Sequence, residues 1–158
     1  MTHNPFNEYV DEIMREFEKE VYEEYGIKAW SSGGSMPSDI EKLKMGFTLY
    51  EKGTIKGARK LLVTLTQKLA DMVNAHKEIR PYLREYPFGL NRAYVSLSYD
   101  NRDGSSKNDN SVTHVCQGKQ GIAYSTDDPN GFAGFRKLHR ESFEEALKII
   151  QAEKEQKK

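Results

Sequence analysis

A single cysteine, Cys116, rules out any internal disulfide, so the fold has to rest on its own core, and sulfur usage says nothing about compartment. No apolar run reaches the ~18 residues needed to span a bilayer, and no charged-then-apolar leader precedes Asn7. As it stands the chain is expected to be soluble and cytoplasmic, with the cell envelope as its place if a leader has been removed. Net charge is absent too. Twenty-four Lys and Arg balance 24 Asp and Glu, which leaves no overall field to draw in DNA or RNA, so no nucleic-acid partner is expected. The sequence holds no Gly-x-Ser-x-Gly elbow and no His-Glu-x-x-His, and Gly118-Lys119-Gln120-Gly121 lacks the spacing and the Ser or Thr of a phosphate loop. Neither an internal repeat nor a low-complexity linker divides the chain. Residues 1–158 therefore read as one domain, large enough to bury a core, with the first few residues and 152–158 frayed.

Against these absences stands a strong hydrophobic pattern. Ile55, Ala58, Leu62, Leu65, Leu69, Met72 and Ala75 recur at steps of three and four and predict a long central helix with one face built for burial. Asn4 before Pro5 suits a helix start. Phe6, Val10, Ile13, Met14, Phe17, Val21 and Tyr25 then keep helical spacing up to Gly26, a fitting left-handed residue after a helix end. That first helix has an acidic outer side (Glu8, Asp11, Glu12, Glu16, Glu18, Glu20, Glu23, Glu24), whereas Lys56, Arg59, Lys60 and Lys68 make the central one basic. A pair of solvated faces attracting each other weakly accounts for this unevenness.

Strands are expected where the period drops to two. Residues 27–32 form a short strand with Ala29 and Trp30 on opposite faces, before a flexible Ser31-Ser32-Gly33-Gly34-Ser35 run and a turn at Pro37 and Ser38. Leu43, Met45, Phe47 and Leu49 alternate with polar positions. A helix starting at Ser38 competes, because Ser38 and Glu41 have capping-box spacing, but eight residues of alternation favour the strand. The central helix ends near Asn74 to His76, followed by a separate helical turn around Pro81 and by Tyr86-Pro87-Phe88-Gly89, a turn that pins two rings over the core. Ala93, Val95, Leu97 and Tyr99 mark the clearest strand, residues 100–110 a mobile polar loop, and residues 112–117 and 120–125 two more strands. Asp127 to Gly131 breaks the pattern, with Phe132 and Phe135 packing a surface loop. Ser142 and Glu145 form a capping box for a last helix. The order α-β-β-α-β-β-β-α predicts a two-layer α+β domain, an antiparallel sheet against the central helix with its other face wholly or partly open.

Residues 74–88, with Ile79-Arg80-Pro81-Tyr82-Leu83 and Tyr86-Pro87-Phe88, together with Gly33-Gly34, Ala58-Arg59-Lys60-Leu61-Leu62 and Glu141-Ser142-Phe143-Glu144-Glu145-Ala146-Leu147, resemble a group of small uncharacterised bacterial proteins, some of them lipoprotein-like. The likeness covers residues from about 25 to 150. It implies an α+β domain with the cell envelope as one location, and it brings no activity, cofactor or catalytic residue.

Candidate chemistry is sparse. His114 and Cys116 share a strand face, where an imidazole can lower a thiol's pKa, but such residues stand about 7 Å apart, and a free Cys is more often a small core hydrophobe. His76, His114 and His139 lack ligand-spaced partners. Asp100, Asp103 and Asp109 invite calcium, yet Arg102 and Gly104 stand where oxygen ligands would be needed. No metal and no cofactor is expected. Aromatic residues carry the remaining signal. Trp30, Tyr50 and Tyr94 fall opposite the aliphatic positions, beside Lys44, Thr48, Ser96 and Ser98, a mixture suited to a protein-binding patch. The expected function is a non-catalytic module that binds protein or peptide through Trp30, Tyr50 and Tyr94 and the turn bearing Tyr86 and Phe88. The alternative is a small enzyme with His114, Cys116 or His139 near a cleft.

Overall fold

The computed structural model describes residues 5–156. Asn4, expected to open the first helix, and residues 157–158 of the expected frayed tail lie outside the described residues. The elements in chain order are α1 (Asn7–Tyr25), β1 (Lys28–Ser35), β2 (Lys42–Leu49), α2 (Ile55–Ala75), two 3-10 turns (Lys77–Tyr82 and Leu90–Arg92), β3 (Ala93–Tyr99), β4 (His114–Gly118), β5 (Gly121–Phe132), β6 (Phe135–Glu141) and α3 (Phe143–Gln156).

The α+β class holds, but the sheet is mixed rather than antiparallel, and among the described residues it has six strands, in the spatial order β1-β2-β3-β4-β5-β6. β2 and β3 run parallel, Leu43 opposite Ala93 through Leu49 opposite Tyr99, while every other pair is antiparallel. The reason is covalent. A hairpin reverses a strand, whereas α2 carries the chain from the end of β2 back to the start of β3, a crossover of the length a parallel pair requires. The extra strand is β6, which pairs with a β5 running on to Phe132 instead of stopping at Ser125. Ala133 and Gly134, both at positive φ (55° and 86°), make the tight turn between them. Phe132 therefore packs no loop. It stands at the hairpin tip, 95% exposed.

One face of the sheet carries the core. Leu43, Met45, Phe47 and Leu49 of β2, Ala93, Val95 and Leu97 of β3, Val115 of β4 and Tyr124 of β5 are buried with Phe17 and Val21 of α1, Leu62, Leu65, Leu69 and Val73 of α2, and Ala146 of α3. Each of these aliphatics contributes about 1.5–3 kcal/mol of gross burial energy. α1 stops at Gly26, which is left-handed (φ 70°) and donates its N–H to the Tyr22 carbonyl. α2 starts at Thr54, whose hydroxyl accepts from the Gly57 N–H at 3.0 Å.

Two segments read as loops are structured. Ser31 to Ser35 continues β1 in register with β2, Ser31 opposite Gly46 and Ser35 opposite Lys42. Residues 100–110 are tethered: the Lys107 side chain is buried with its ammonium on the Glu51 carbonyl, and its N–H donates to Asp127 Oδ2 at 2.8 Å.

Candidate functional site

Alternation decides what the far face of the sheet displays. Because β2 and β3 send every second side chain into the core, Lys42, Lys44, Gly46 and Thr48, with Tyr94, Ser96 and Ser98, point away from the helices. Register extends that face to Lys28, Ser31 and Gly33 on β1, to His114 and Cys116 on β4, to Ala123 and Ser125 on β5, and to Lys137 and Arg140 on β6. Tyr94, Ser96, Ser98, His114, Cys116, Ala123 and Ser125 are all half-exposed, whereas their core-side neighbours are buried.

Trp30 sits at the irregularity between Ala29 and Ser31 that shifts the β1–β2 register. Its indole lies over Gly46: a Cβ added there would stand 2.8 Å from Trp30 Nε1, 2.7 Å from Ser96 Oγ and 2.9 Å from Ser31 Oγ. Glycine at 46 thus makes the seat, and Trp30 remains 58% exposed on it. Trp30 and Tyr50 line a single groove of about 650 Å³ with Tyr22, Lys28, Thr48 and Arg102, and the Arg102 guanidinium caps the Tyr50 ring at 4.7 Å. Tyr94 lies further along the face with the Lys42 ammonium 5.2 Å from its ring centre.

The turn residues do not join this surface. Phe88 is buried at 2% exposure, because both its backbone groups bind the Asn74 side chain (N–H to Oδ1 at 2.6 Å, O to Nδ2 at 3.1 Å), which draws the ring into the core. Tyr86 is exposed, but it packs under Arg80, whose guanidinium is tied to the Asn74 carbonyl at the end of α2. The Tyr86–Pro87 peptide is cis.

Net neutrality conceals a division of charge. The open face collects Lys28, Lys42, Lys44, Lys137 and Arg140, and among the described residues no carboxylate forms an ion pair with any of them. Carboxylates border the face as well: Glu51 lines the Trp30 groove, and Asp100 and Asp127 keep their charge while accepting hydroxyl hydrogen bonds. Asp100 accepts from Ser98 Oγ at 2.8 Å, Asp127 accepts from Thr113 Oγ1 at 2.8 Å, and Glu41 accepts from Ser35 Oγ at 3.0 Å while pairing with Arg84. Zero net charge was the ground for expecting no nucleic acid, and it does not describe this surface.

The histidine and cysteine candidates are divided by the sheet. His114 and Cys116 lie on the open face, whereas His139, opposite the buried Tyr124, lies on the helix side, so the three line no common cleft. His114 stacks on Phe135 at 5.4 Å, and burial holds its imidazole below the ordinary value despite Asp100 and Asp127. Burial also pushes the Cys116 thiol up, with Arg140 opposing, so at neutral pH it stays protonated and weakly nucleophilic.

A buried polar cluster escaped the sequence pattern. Glu141, 4% exposed, accepts from Arg59 Nε at 2.7 Å and Arg59 Nη2 at 2.6 Å, accepts from the Tyr124 hydroxyl at 3.1 Å, and lies 2.8 Å from His139 Nε2. Burial pushes its carboxyl up, but the hydrogen bonds from Arg59, His139 and Tyr124 outweigh that and hold it below the usual carboxylate range. Chemically the cluster fastens β6 to α2. Asp103 and Asp109, candidates for calcium, instead close turns on Ser105 and Ser111, each accepting from an N–H and a hydroxyl. Among the described residues no group of His, Cys, Asp and Glu is arranged to hold a metal, and no helix is long and apolar enough to cross a membrane.

No family model, curated protein or solved structure matches the chain.

Proposed function

We propose that the chain is a non-catalytic module that captures a protein or peptide on the open face of its sheet, with Trp30 as anchor and Tyr94 and Tyr50 as flanking contacts. The observation that carries this is the Trp30 seat: a half-exposed indole held at a glycine beside Ser31 and Ser96, in a groove that Lys28 also lines. A tryptophan held in place on one side and exposed on the rest loses little conformational freedom on binding, which is what makes such residues energetic anchors. Phe88 takes no part, being buried, and Tyr86 belongs to the helical layer.

Panning a random-peptide display library against the immobilised protein tests the proposal. Enriched peptides are expected to bind the wild type and to lose at least tenfold in affinity to a Trp30→Ala, Tyr94→Ala double variant whose melting temperature stays within a few degrees. Failure to enrich any peptide, or equal binding to the double variant, refutes it.

A further inference from the structure

The open face ends at a bare strand. β1 is one end of the sheet, so among the described residues the N–H and C=O groups of its alternate residues on the outer side have no partner strand. Trp30, Ser31, Ser32, Gly33 and Gly34 are all exposed. From Ser31 to Ser35 the strand has neither charge nor proline, and its irregularity is confined to the Ala29 end. Proteins that keep an edge unpaired place lysine, proline or a bulge within it; here the pairing length of residues 31–35, about 17 Å of extended chain, has none.

The open-face side chains of this stretch are Ser31, Gly33 and Ser35, opposite Gly46, Lys44 and Lys42. Their small size matters for reach. A strand added beside β1 would lie two strand spacings, about 10 Å, from β2, a gap that an extended lysine and a glutamate cover from opposite sides when glycine stands between them. Lys44, exposed and facing out across Gly33, and Lys28 at the strand's start are thereby available to a newcomer. At the other end Glu41, held by Ser35 and Arg84, disfavours an acid.

We infer that the captured partner is an extended segment bearing acidic side chains at alternate positions, docked as a seventh strand along β1 with its carboxylates on Lys44 and Lys28 and its flank against Trp30. This deepens, and rests on, the proposal that the open face captures protein. It differs in mechanism, because affinity comes from main-chain hydrogen bonds and specificity from the alternating charges.

A fluorescein-labelled peptide alternating Val and Glu serves as the probe, with its Val and Lys counterpart, a twelve-residue oligothymidylate, and two N-methylated forms of the acidic peptide methylated on alternate residues in opposite phase. Strand addition uses the N–H groups of one phase only. The expected anisotropy result is binding of the acidic peptide, at least tenfold weaker binding of the lysine peptide, and at least tenfold loss in one methylated phase with retention in the other. Lys44→Glu should reverse the charge preference. Loss of binding in Trp30→Ala with both methylated phases retained overturns strand addition and leaves capture at the open face standing. Binding of the peptide unchanged in both Trp30→Ala and Lys44→Glu overturns the inference and the proposal together, and preference for the oligothymidylate replaces the partner class with nucleic acid. Self-association of the wild type blocked by Gly33→Lys assigns the edge to a second copy, which also overturns the inference.

Discussion

The two ends of the sheet solve the same problem in opposite ways. β6 is guarded: Arg136, Lys137 and Arg140 line it, and Glu141 at its end is locked by Arg59 of α2 and Tyr124 of β5. β1 presents Ser31-Ser32-Gly33-Gly34-Ser35 with no charge and no anchor comparable to that pair. An edge with charged side chains repels a second strand, while a neutral edge of small residues admits one. Stability is thus invested at the end of the sheet that must stay closed, and accessibility at the end proposed to bind.

The sharpest way to break this comparison is to remove the β6 lock. Glu141→Ala leaves the Arg59 guanidinium buried without its partner, and chemical denaturation is expected to show a loss of about 3–5 kcal/mol, whereas Ser32→Ala on β1 should stay within about 0.5 kcal/mol of wild type. Equal effects would show that the two edges are held alike. Acid sharpens the same point. The folded carboxyl of Glu141 is held below its unfolded value, so its contribution is present in full above the ordinary carboxylate range, about pH 4.3, and disappears as pH falls through the folded value. Glu141→Gln lacks that term and should lose stability less steeply over this interval; parallel curves would remove the ionised carboxylate from the account.

The two edges were also the least legible parts of the sequence, for related reasons. Period-two hydrophobicity identified β2 and β3 because Leu43, Met45, Phe47 and Leu49, and Ala93, Val95, Leu97 and Tyr99, all face one apolar core. β6 has no such signature, since Leu138 is the only aliphatic it packs against the core, beside His139 and Glu141, the latter satisfied by an arginine 82 residues away in sequence. The second half of β1, Ser31 to Ser35, reads as a flexible run because serine and glycine favour turns, and only pairing with β2 holds it extended. The parallel pairing of β2 with β3 follows from the α2 crossover that joins them, and alternation within either strand says nothing of its direction. Of the expected binding residues, Trp30 and Tyr50 do meet in one groove. Phe88 lies over the core, as its turn implies, but is sealed there rather than left for a partner because its backbone is held by Asn74, 14 residues earlier.

Trp30 gives a smaller effect with a direct spectroscopic readout, since it is the only tryptophan in the chain. Gly46→Ala puts a methyl 2.7–2.9 Å from Ser96 Oγ, Trp30 Nε1 and Ser31 Oγ. The indole has to move, at a cost of about 1–3 kcal/mol, and its emission should shift to longer wavelength as it leaves the sheet. Unchanged emission would mean that Trp30 is not seated on Gly46.

The smallest expected change in stability tests what the charges on β6 are for. Lys137 and Arg140 project from the open face at the edge opposite β1, and as surface residues their replacement by valine should alter stability by no more than about 0.5 kcal/mol. Association is where the difference should appear. Without those charges β6 becomes a neutral, β-branched edge, and sedimentation velocity is expected to show the Lys137→Val, Arg140→Val variant self-associating with rising concentration, while Lys137→Glu, Arg140→Glu, which changes the sign but keeps the charge, behaves as wild type. If the valine variant stays as the wild type is, charge is not what closes that edge, and the contrast with β1 reduces to the Arg59–Glu141 lock alone.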